Sequence, residues 1–267
     1  MEATIVYLLA GMSKRFGGKP KGLSKIGPNG ETLIEYSLNQ SLKAGFTRIV
    51  FIVSEKSKEL YEKAIENSFK GIQIKYALQE YDEKERDKPW GTFDALCSAL
   101  PLIETPFVIC NGDDIYGENS FKLLFDHLKN EKTPTTIGYK LKDNLPEKEP
   151  ANRGIFSLEN EFVKSIVETL EIQKEKLAEK GISSEALCSM NIFGFPKEST
   201  LEFEKRINKF KEINKGNRAI ECFLPTEISN LINSDKIKMK IYSTKEKAIG
   251  LTYPEDEEKV RKQLSPK

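Results

Sequence analysis

The chain has 267 residues and a single histidine, His127, so most imidazole chemistry has nothing to run on. A hydrolase triad would depend on that one side chain, which falls near the end of an amphipathic stretch from Glu118 to Lys129, and an H-E-x-x-H zinc site cannot be built. Cysteine is sparse too. Cys97, Cys110, Cys188 and Cys222 are scattered among apolar residues and never form C-x-x-C, which suggests reduced core residues rather than a zinc site or a disulfide framework. Long hydrophobic runs are missing: the stretch from Ala3 to Ala10 is about half of what a membrane span needs, and Glu2 stands where a signal peptide carries basic residues. No charge sign dominates, with 42 Lys and Arg against 41 Asp and Glu, and there is no basic block to track a nucleic-acid backbone. What survives these exclusions is a soluble, cytoplasmic protein of 38% hydrophobic residues that can bury a core and whose partners are small molecules.

What is present is an alternation of strands and helices. Ala3 to Leu9 is a continuous β-branched and apolar run, the pattern of a parallel strand buried on both faces. A helix follows from Glu31 to Ala44 with Gly45 placed to end it, then a strand from Arg48 to Val53. The pattern continues with a charged helix (Lys56 to Phe69), a strand (Ile72 to Leu78), a helix opened by Thr92 and a strand from Pro106 to Cys110. Repeated βαβ units of this kind predict a mostly parallel sheet. Beyond Leu145 the pattern changes to short strands around Ile155 and Val163 to Val167, a charged helix from Glu171 to Lys180, a strand from Ile237 to Tyr242 and a last helix beginning near Pro254. One domain over 1–267 is expected, in which 1–145 binds nucleotide and metal and 146–267 binds an acceptor and ends in the C-terminal helix.

Three local patterns carry chemistry. Directly after the first strand, Leu9 to Lys21 reads LAGMSKRFGGKPK: glycines that let backbone N–H groups approach an anion, with several cationic side chains around it. It is neither G-x-x-x-x-G-K-[ST] nor G-x-G-x-x-G. At the carboxyl end of a second buried strand comes Asn111-Gly112-Asp113-Asp114, where open α/β sheets bind ligands, and this makes Asp113 the candidate Mg²⁺ ligand. Mg²⁺ is commonly held by one or two carboxylates together with substrate phosphates. Alone, the Asp pair would be an ordinary turn; beside the first loop it becomes a metal site. Third, Gln79 ends a strand ahead of Lys88-Pro89-Trp90-Gly91-Thr92, which brings an amide that can read a base edge to a small residue and a helix start. Trp90 reads as an anchor for that loop.

Together these motifs resemble the nucleotidyltransferase family that includes the sugar-1-phosphate uridylyl- and thymidylyltransferases, over essentially the whole chain. A little-characterised branch shares the stretch Gly27-Pro28-Asn29-Gly30-Glu31-Thr32 and the ending Gly250-Leu251-Thr252-Tyr253-Pro254-Glu255-Asp256. The resemblance implies a glycosyltransferase-A-like fold: α/β, Rossmann-like, three layers around a mostly parallel mixed sheet. It implies that Arg15 and Lys21 neutralise the phosphates and carry catalysis, and that Leu8, Ala10, Gly11 and Met12 line the nucleotide. It places Gln79, Gly91 and Thr92 at the base and Asp113 on the metal. Arg153-Gly154-Ile155, Val167-Glu168 and Ser189-Met190-Asn191 resemble the elements that contact acceptor hydroxyls, so Gly154, Glu168 and Asn191 carry over as acceptor residues. The implied reaction is Mg²⁺-dependent transfer of a nucleotidyl group from a nucleoside triphosphate, UTP or dTTP, to a sugar 1-phosphate.

The chain departs from the family in three places. Ser13 replaces a glycine of the usual G-x-G-x-R start, and the charged Glu171 to Leu187 matches no ring-binding pattern. Lys247-Ala248-Ile249-Gly250 stands where a second metal aspartate is usual, which leaves Asp114, Glu255 and Asp256 as substitutes. The alternatives are a cytidylyltransferase acting on phosphocholine or a polyol phosphate, a silent nucleotide-binding regulator and, last, a nucleotide-sugar glycosyltransferase. Base, acceptor, pathway and self-association are left open.

Overall fold

The computed structural model describes residues 1–13, 16–147, 149–251 and 253–265. The first half runs β1 (Thr4–Leu8), α1 (Leu33–Ala44), β2 (Arg48–Val53), α2 (Glu55–Ile65), β3 (Ser68–Phe69), β4 (Ile72–Leu78), α3 (Thr92–Ala99), β5 (Phe107–Asn111), β6 (Asp114–Ile115), α4 (Glu118–Asn130) and β7 (Thr135–Lys140). The second half runs β8 (Ala151–Glu159), β9 (Phe162–Ile172), β10 (Leu187–Ser189), β11 (Phe193–Phe195), α5 (Ser199–Ile213), α6 (Leu224–Asn233), β12 (Lys240–Ser243), β13 (Ile249–Gly250) and α7 (Asp256–Leu264).

The continuous apolar runs take the middle of an eleven-stranded mixed sheet, ordered β10-β8-β9-β12-β7-β11-β5-β1-β2-β4-β3. β1 pairs parallel with β2 and β5, and β2 with β4, so this part is the doubly wound α/β core. Ile5 and Tyr7 of β1 face one apolar layer with Leu38 of α1 and Leu124 of α4; Val6 faces the other with Leu96 of α3 and Ile228 of α6. Both faces of the strand are covered, which is why it carries no alternation. This is the three-layer α/β/α arrangement that the family resemblance implies. The antiparallel strand β11 sits between β5 and β7 and joins the parallel core to the rest of the sheet. Among the described residues no helix is long and apolar enough to cross a membrane.

Sequence and structure differ at identifiable points. The helix expected to reach Phe69 stops at Ile65, because Glu66 takes φ 62° as its C-cap and Ser68–Phe69 folds back onto β4. The short strands expected around Ile155 and Val163 are one long hairpin, β8–β9. No helix spans Glu171 to Lys180: β9 continues through Ile172, and two 3₁₀ turns follow at Lys174–Lys176 and Ala178–Lys180. Only Glu171 and Ile172 of that stretch belong to the hairpin; the rest is charged, short-range turn structure whose composition resembles that of an exposed helix. Trp90 anchors its loop as the sequence suggests, with the Arg86 guanidinium 3.5 Å from its ring and Phe210 at its edge. His127 is buried, bonded to the Tyr242 hydroxyl and the Thr133 carbonyl, and does structural work.

Candidate active site

The phosphate-loop candidate leaves the end of β1 and returns as a 3₁₀ turn at Lys21–Leu23. It is closed on itself: the Gly18 N–H donates to the Ser13 carbonyl at 3.0 Å, and Ser13 and Lys19 form an antiparallel bridge. A cavity of about 240 Å³ opens beside it, lined by Leu8, Gly11, Met12 and Lys21 among others, with Tyr61 of α2 in its wall. Burial and the nearby charge of Asp113 push the Tyr61 hydroxyl up, so it stays a neutral wall. Three of the four residues expected to line the nucleotide therefore line this cavity, and Ala10 lies outside the lining. Arg15, expected to carry catalysis with Lys21, lies outside the described residues.

The second loop reaches the same place from β5. The Gly112 N–H donates to the Leu8 carbonyl at 3.0 Å, which fixes the turn against the end of β1. Asp113 Oδ2 then comes to 3.4 Å from Lys21 Nζ, the two side chains being 41% and 24% exposed. Next to it Asp114 accepts from Asn111 Nδ2 at 2.9 Å, and its other oxygen faces Gly250, where any Cβ would collide with it. Burial, reinforced by the charge of Asp113, pushes the Asp114 carboxyl up to about 7. The Tyr116 hydroxyl accepts from the Asn111 N–H and donates to the Met190 carbonyl, linking this loop to the second half of the chain.

Gln79 and Gly91 do meet. Gln79 Nε2 donates to the Gly91 carbonyl at 2.9 Å, with the Asp94 carboxylate also in range at 3.4 Å. Gly91 has φ 104°, and a Cβ there would stand 2.7 Å from the Cys222 carbonyl, so a packing reason alone requires glycine. Neither residue lines the small cavity or the larger one that adjoins it; Thr92 lines the larger, and its hydroxyl accepts from the Leu224 N–H.

That larger cavity, of about 1180 Å³, extends from this corner across the second half. Gly154, Glu168 and Asn191, the three acceptor residues expected from the sequence, all line it. Gly154 and Glu168 face each other in the β8–β9 register, and Asn191 holds φ 57° while its N–H donates to Ser189 Oγ at 3.1 Å. Burial raises the Glu168 carboxyl, with Arg153 opposing the shift. Lys21 and Asp113 line both cavities, so the two meet at that pair.

Which groups could hold a metal follows from the donors. Among the described residues there is no cluster of three or more His, Cys, Asp or Glu able to bind one by protein ligands alone. Two adjacent carboxylates, of which Asp114 is raised first by burial and then by the charge of Asp113, suit a divalent ion that takes its remaining ligands from substrate phosphates and water. The Lys247 to Gly250 segment does come to the site, because β13 pairs antiparallel with β6 and sets Gly250 against Asp114, but it brings backbone and no carboxylate. Of the three substitutes, Asp114 and Asp256 line the larger cavity and Glu255 is exposed outside it. Asp256 accepts from the Tyr253 N–H and pairs with Lys259.

Sequence reasoning missed Asn111, Tyr61, Arg153 and the lysines of the C-terminal segment. Arg153 stands beside Gly154 and Asn111 beside the Asp pair, both in motifs the sequence shows; Tyr61 and the C-terminal lysines depend on long-range contacts that no local pattern shows.

Comparison with known proteins now decides the family. The model of the nucleotidyl transferase family matches residues 19–226. The chain belongs to that family. No curated protein matches it. Among solved structures, a candidate glucose-1-phosphate thymidylyltransferase from Bacillus anthracis, in complex with sucrose, is 14% identical with a TM-score of 0.70, over 99% of this chain and 95% of that one. The inositol-1-phosphate CTP transferase from T. maritima is 17% identical with a TM-score of 0.68, over 98% and 95%. A UDP-glucose pyrophosphorylase complexed with UDP-glucose is 16% identical with a TM-score of 0.65, over 98% of both chains. At these identities the likeness establishes a shared fold, and it extends over the whole nucleotidyltransferase chain.

Proposed function

We propose that this nucleotidyltransferase moves a nucleoside monophosphate from UTP or dTTP to a sugar 1-phosphate, with Mg²⁺, and releases pyrophosphate. The observation that carries the reading is the Lys21–Asp113 pair, which lies where the small cavity beside the glycine loop opens into the large one. A triphosphate in the first and a phosphorylated acceptor in the second would meet there. In this reading residues 1–145 hold the nucleotide and metal, and 146–267 the acceptor.

An acceptor phosphate oxygen attacks the α-phosphorus in line, an O–P bond forms, and the bridging bond to the β-phosphate breaks with its electron pair leaving on pyrophosphate. A phosphate monoester is already anionic at neutral pH, so no general base is needed, which agrees with the one structural histidine. The work left to the protein is positioning and charge neutralisation. Lys21 would meet the negative charge that builds on the phosphates, and Arg15 would join it. Asp113, with Asp114 beside it, would hold Mg²⁺, which supplies a Lewis acid for the phosphate oxygens. Leu8, Gly11 and Met12 would lie against the nucleotide, and Gly154, Glu168 and Asn191 against acceptor hydroxyls.

The test is pyrophosphate release with Mg²⁺, each of four common triphosphates, and a panel of sugar 1-phosphates together with phosphocholine and an inositol phosphate. Release that Asp113→Ala and Arg15→Ala both abolish supports the reading and names the substrates. CTP with a polyol phosphate as the only productive pair would replace both the base and the acceptor of this proposal. Silence across the panel with nucleotide still bound would mean a regulatory protein.

A further inference from the structure

Among the described residues four cations line the larger cavity: Lys21, Arg153, Lys247 and Lys259. Each lysine has a carboxylate partner, Asp113 at 3.4 Å, Asp143 at 3.9 Å and Asp256 at 3.5 Å respectively. Arg153 forms no ion pair among the described residues. Its Nη1 donates to the Asn152 carbonyl at 2.9 Å and its Nη2 to the Asn144 carbonyl at 3.1 Å, both neutral, and its buried Nε has no partner among the described residues. A guanidinium keeps its charge at every pH a protein meets and carries five N–H donors, so this cation is held in place with no carboxylate in salt-bridge range among the described residues and with one N–H left over on each Nη.

Where it is held matters. The carbonyl that receives Nη2 belongs to Asn144, whose side chain is fixed at both ends, donating to the Lys140 carbonyl at 2.8 Å and accepting from the Ala248 N–H at 2.9 Å. Ala248 leads straight into β13, which lies against Asp114. On the other side, Gly154 follows Arg153 and faces Glu168 across the hairpin. Arg153 is therefore placed between the metal-side carboxylates and the wall of hydroxyl-binding candidates. Both Asp114 and Glu168 feel its charge, which opposes the upward push of burial on each.

We propose that Arg153 takes the phosphate of the acceptor and so selects phosphate monoesters over neutral polyols in the larger cavity. A planar fork matches two oxygens of a phosphate better than a lysine does. Naming the anion as the acceptor's phosphate rests on the nucleotidyl-transfer reading; that an anion binds at Arg153 does not. Contact of this kind is made in the ground state as well as in the transition state, so its loss raises KM for the acceptor and leaves kcat nearly alone.

Two measurements test it. The first titrates inorganic phosphate calorimetrically into protein saturated with Mg²⁺ and a non-reacting α,β-methylene triphosphate, which fills the nucleotide side. Wild type binds phosphate, Arg153→Met binds it roughly 10- to 100-fold more weakly, and Arg153→Lys falls between. Equal binding by wild type and Arg153→Met, or no binding by wild type, overturns the assignment whether or not the protein is a transferase. The second is the pyrophosphate assay with the acceptor that wild type accepts: the acceptor KM of Arg153→Met rises by a similar factor while the triphosphate KM stays within about twofold. If Arg153 only ties β8 to Asn144, both variants lose thermal stability and neither constant moves, which sinks the proposal. Arg153→Lys keeps the charge and the fold contact if Arg153→Met does not fold. A wild type that binds phosphate yet releases no pyrophosphate fails the functional reading and leaves the anion site standing.

Discussion

In the first half of the chain the residues that face the cleft stand on loops that leave parallel strands, Lys21 after β1 and Asp113 after β5. In the second half Arg153 and Gly154 stand inside the antiparallel strand β8 and Glu168 inside β9, with Asn191 on the turn after β10. A loop anchored at its two ends can aim one side chain at one atom, and the Gly112 to Leu8 bond does that for Asp113. A strand can only offer what its register offers, several neighbouring groups at fixed spacing. On the proposed function the difference amounts to a division of labour: the loop side would concentrate the chemistry in one or two groups, and the strand side would spread acceptor recognition over several. If so, single losses on the loop side should be large and fall on kcat, and single losses on the strand side should be modest and fall on KM.

The largest expected effect is therefore Asp113→Ala, with Lys21→Met close behind. Each removes a group at the point where the two cavities meet, and kcat for pyrophosphate release should fall roughly 1000-fold, the scale for a charge-stabilising group at a reacting centre. Acceptor KM should change little. A loss confined to KM would break the comparison, because it would put the loop residues in ground-state binding. The next effect tests whether the two regions are one folding unit. Phe195 on β11 stacks edge-on with Phe203 at 4.8 Å and packs on Phe107 and Phe193 at the junction of the parallel and antiparallel parts. Phe195→Ala should cost about 3 to 4 kcal/mol and still give one urea transition. Two transitions would show halves that fold apart.

The same division governs what can be read from sequence. Parallel strands buried on both faces announce themselves as runs such as Thr-Ile-Val-Tyr-Leu, and the loops after them carry glycine and charge, so Lys21 and Asp113 are both legible without a structure. The β8–β9 hairpin has one face on the core and one in water, and it runs on to Ile172 into two charged 3₁₀ turns, whose composition reads as the expected helix over Glu171 to Lys180. The helices α5 and α6 are missed altogether, although Leu224 and Ile228 cover the second face of the sheet. Gly154, Glu168 and Asn191 come from family resemblance and do share one cavity. Arg153 stands in one of the motifs that carry the resemblance but receives no role from it, since its meaning lies in contacts with Asn144, which is nine positions away along the chain and fixed by a third segment.

On the strand side, Glu168→Gln should raise the acceptor KM about tenfold and leave kcat within a factor of about three, the scale of one hydrogen bond to a charged group. Steady-state kinetics with the acceptor that wild type accepts would show it. A kcat loss as large as that of Asp113→Ala would erase the distinction between the two sides.

The smallest effect concerns the outer wall of the larger cavity. The Tyr253 hydroxyl bonds both oxygens of Glu149 at 3.0 Å, joining the loop before β8 to the segment that opens α7, whose Val260 packs on Ile26 and Leu33. Both partners are at the surface, where such a bond contributes less than about 1 kcal/mol, so Tyr253→Phe should shift the melting temperature by no more than about 2 °C. The apolar packing of α7 stays, so the wall stays too, and the acceptor KM should move less than about twofold. If instead KM rises tenfold with no change in melting temperature, the hydroxyl acts on the acceptor itself. The strand side would then have a recruit from the C-terminal segment, and recognition would be spread more widely still.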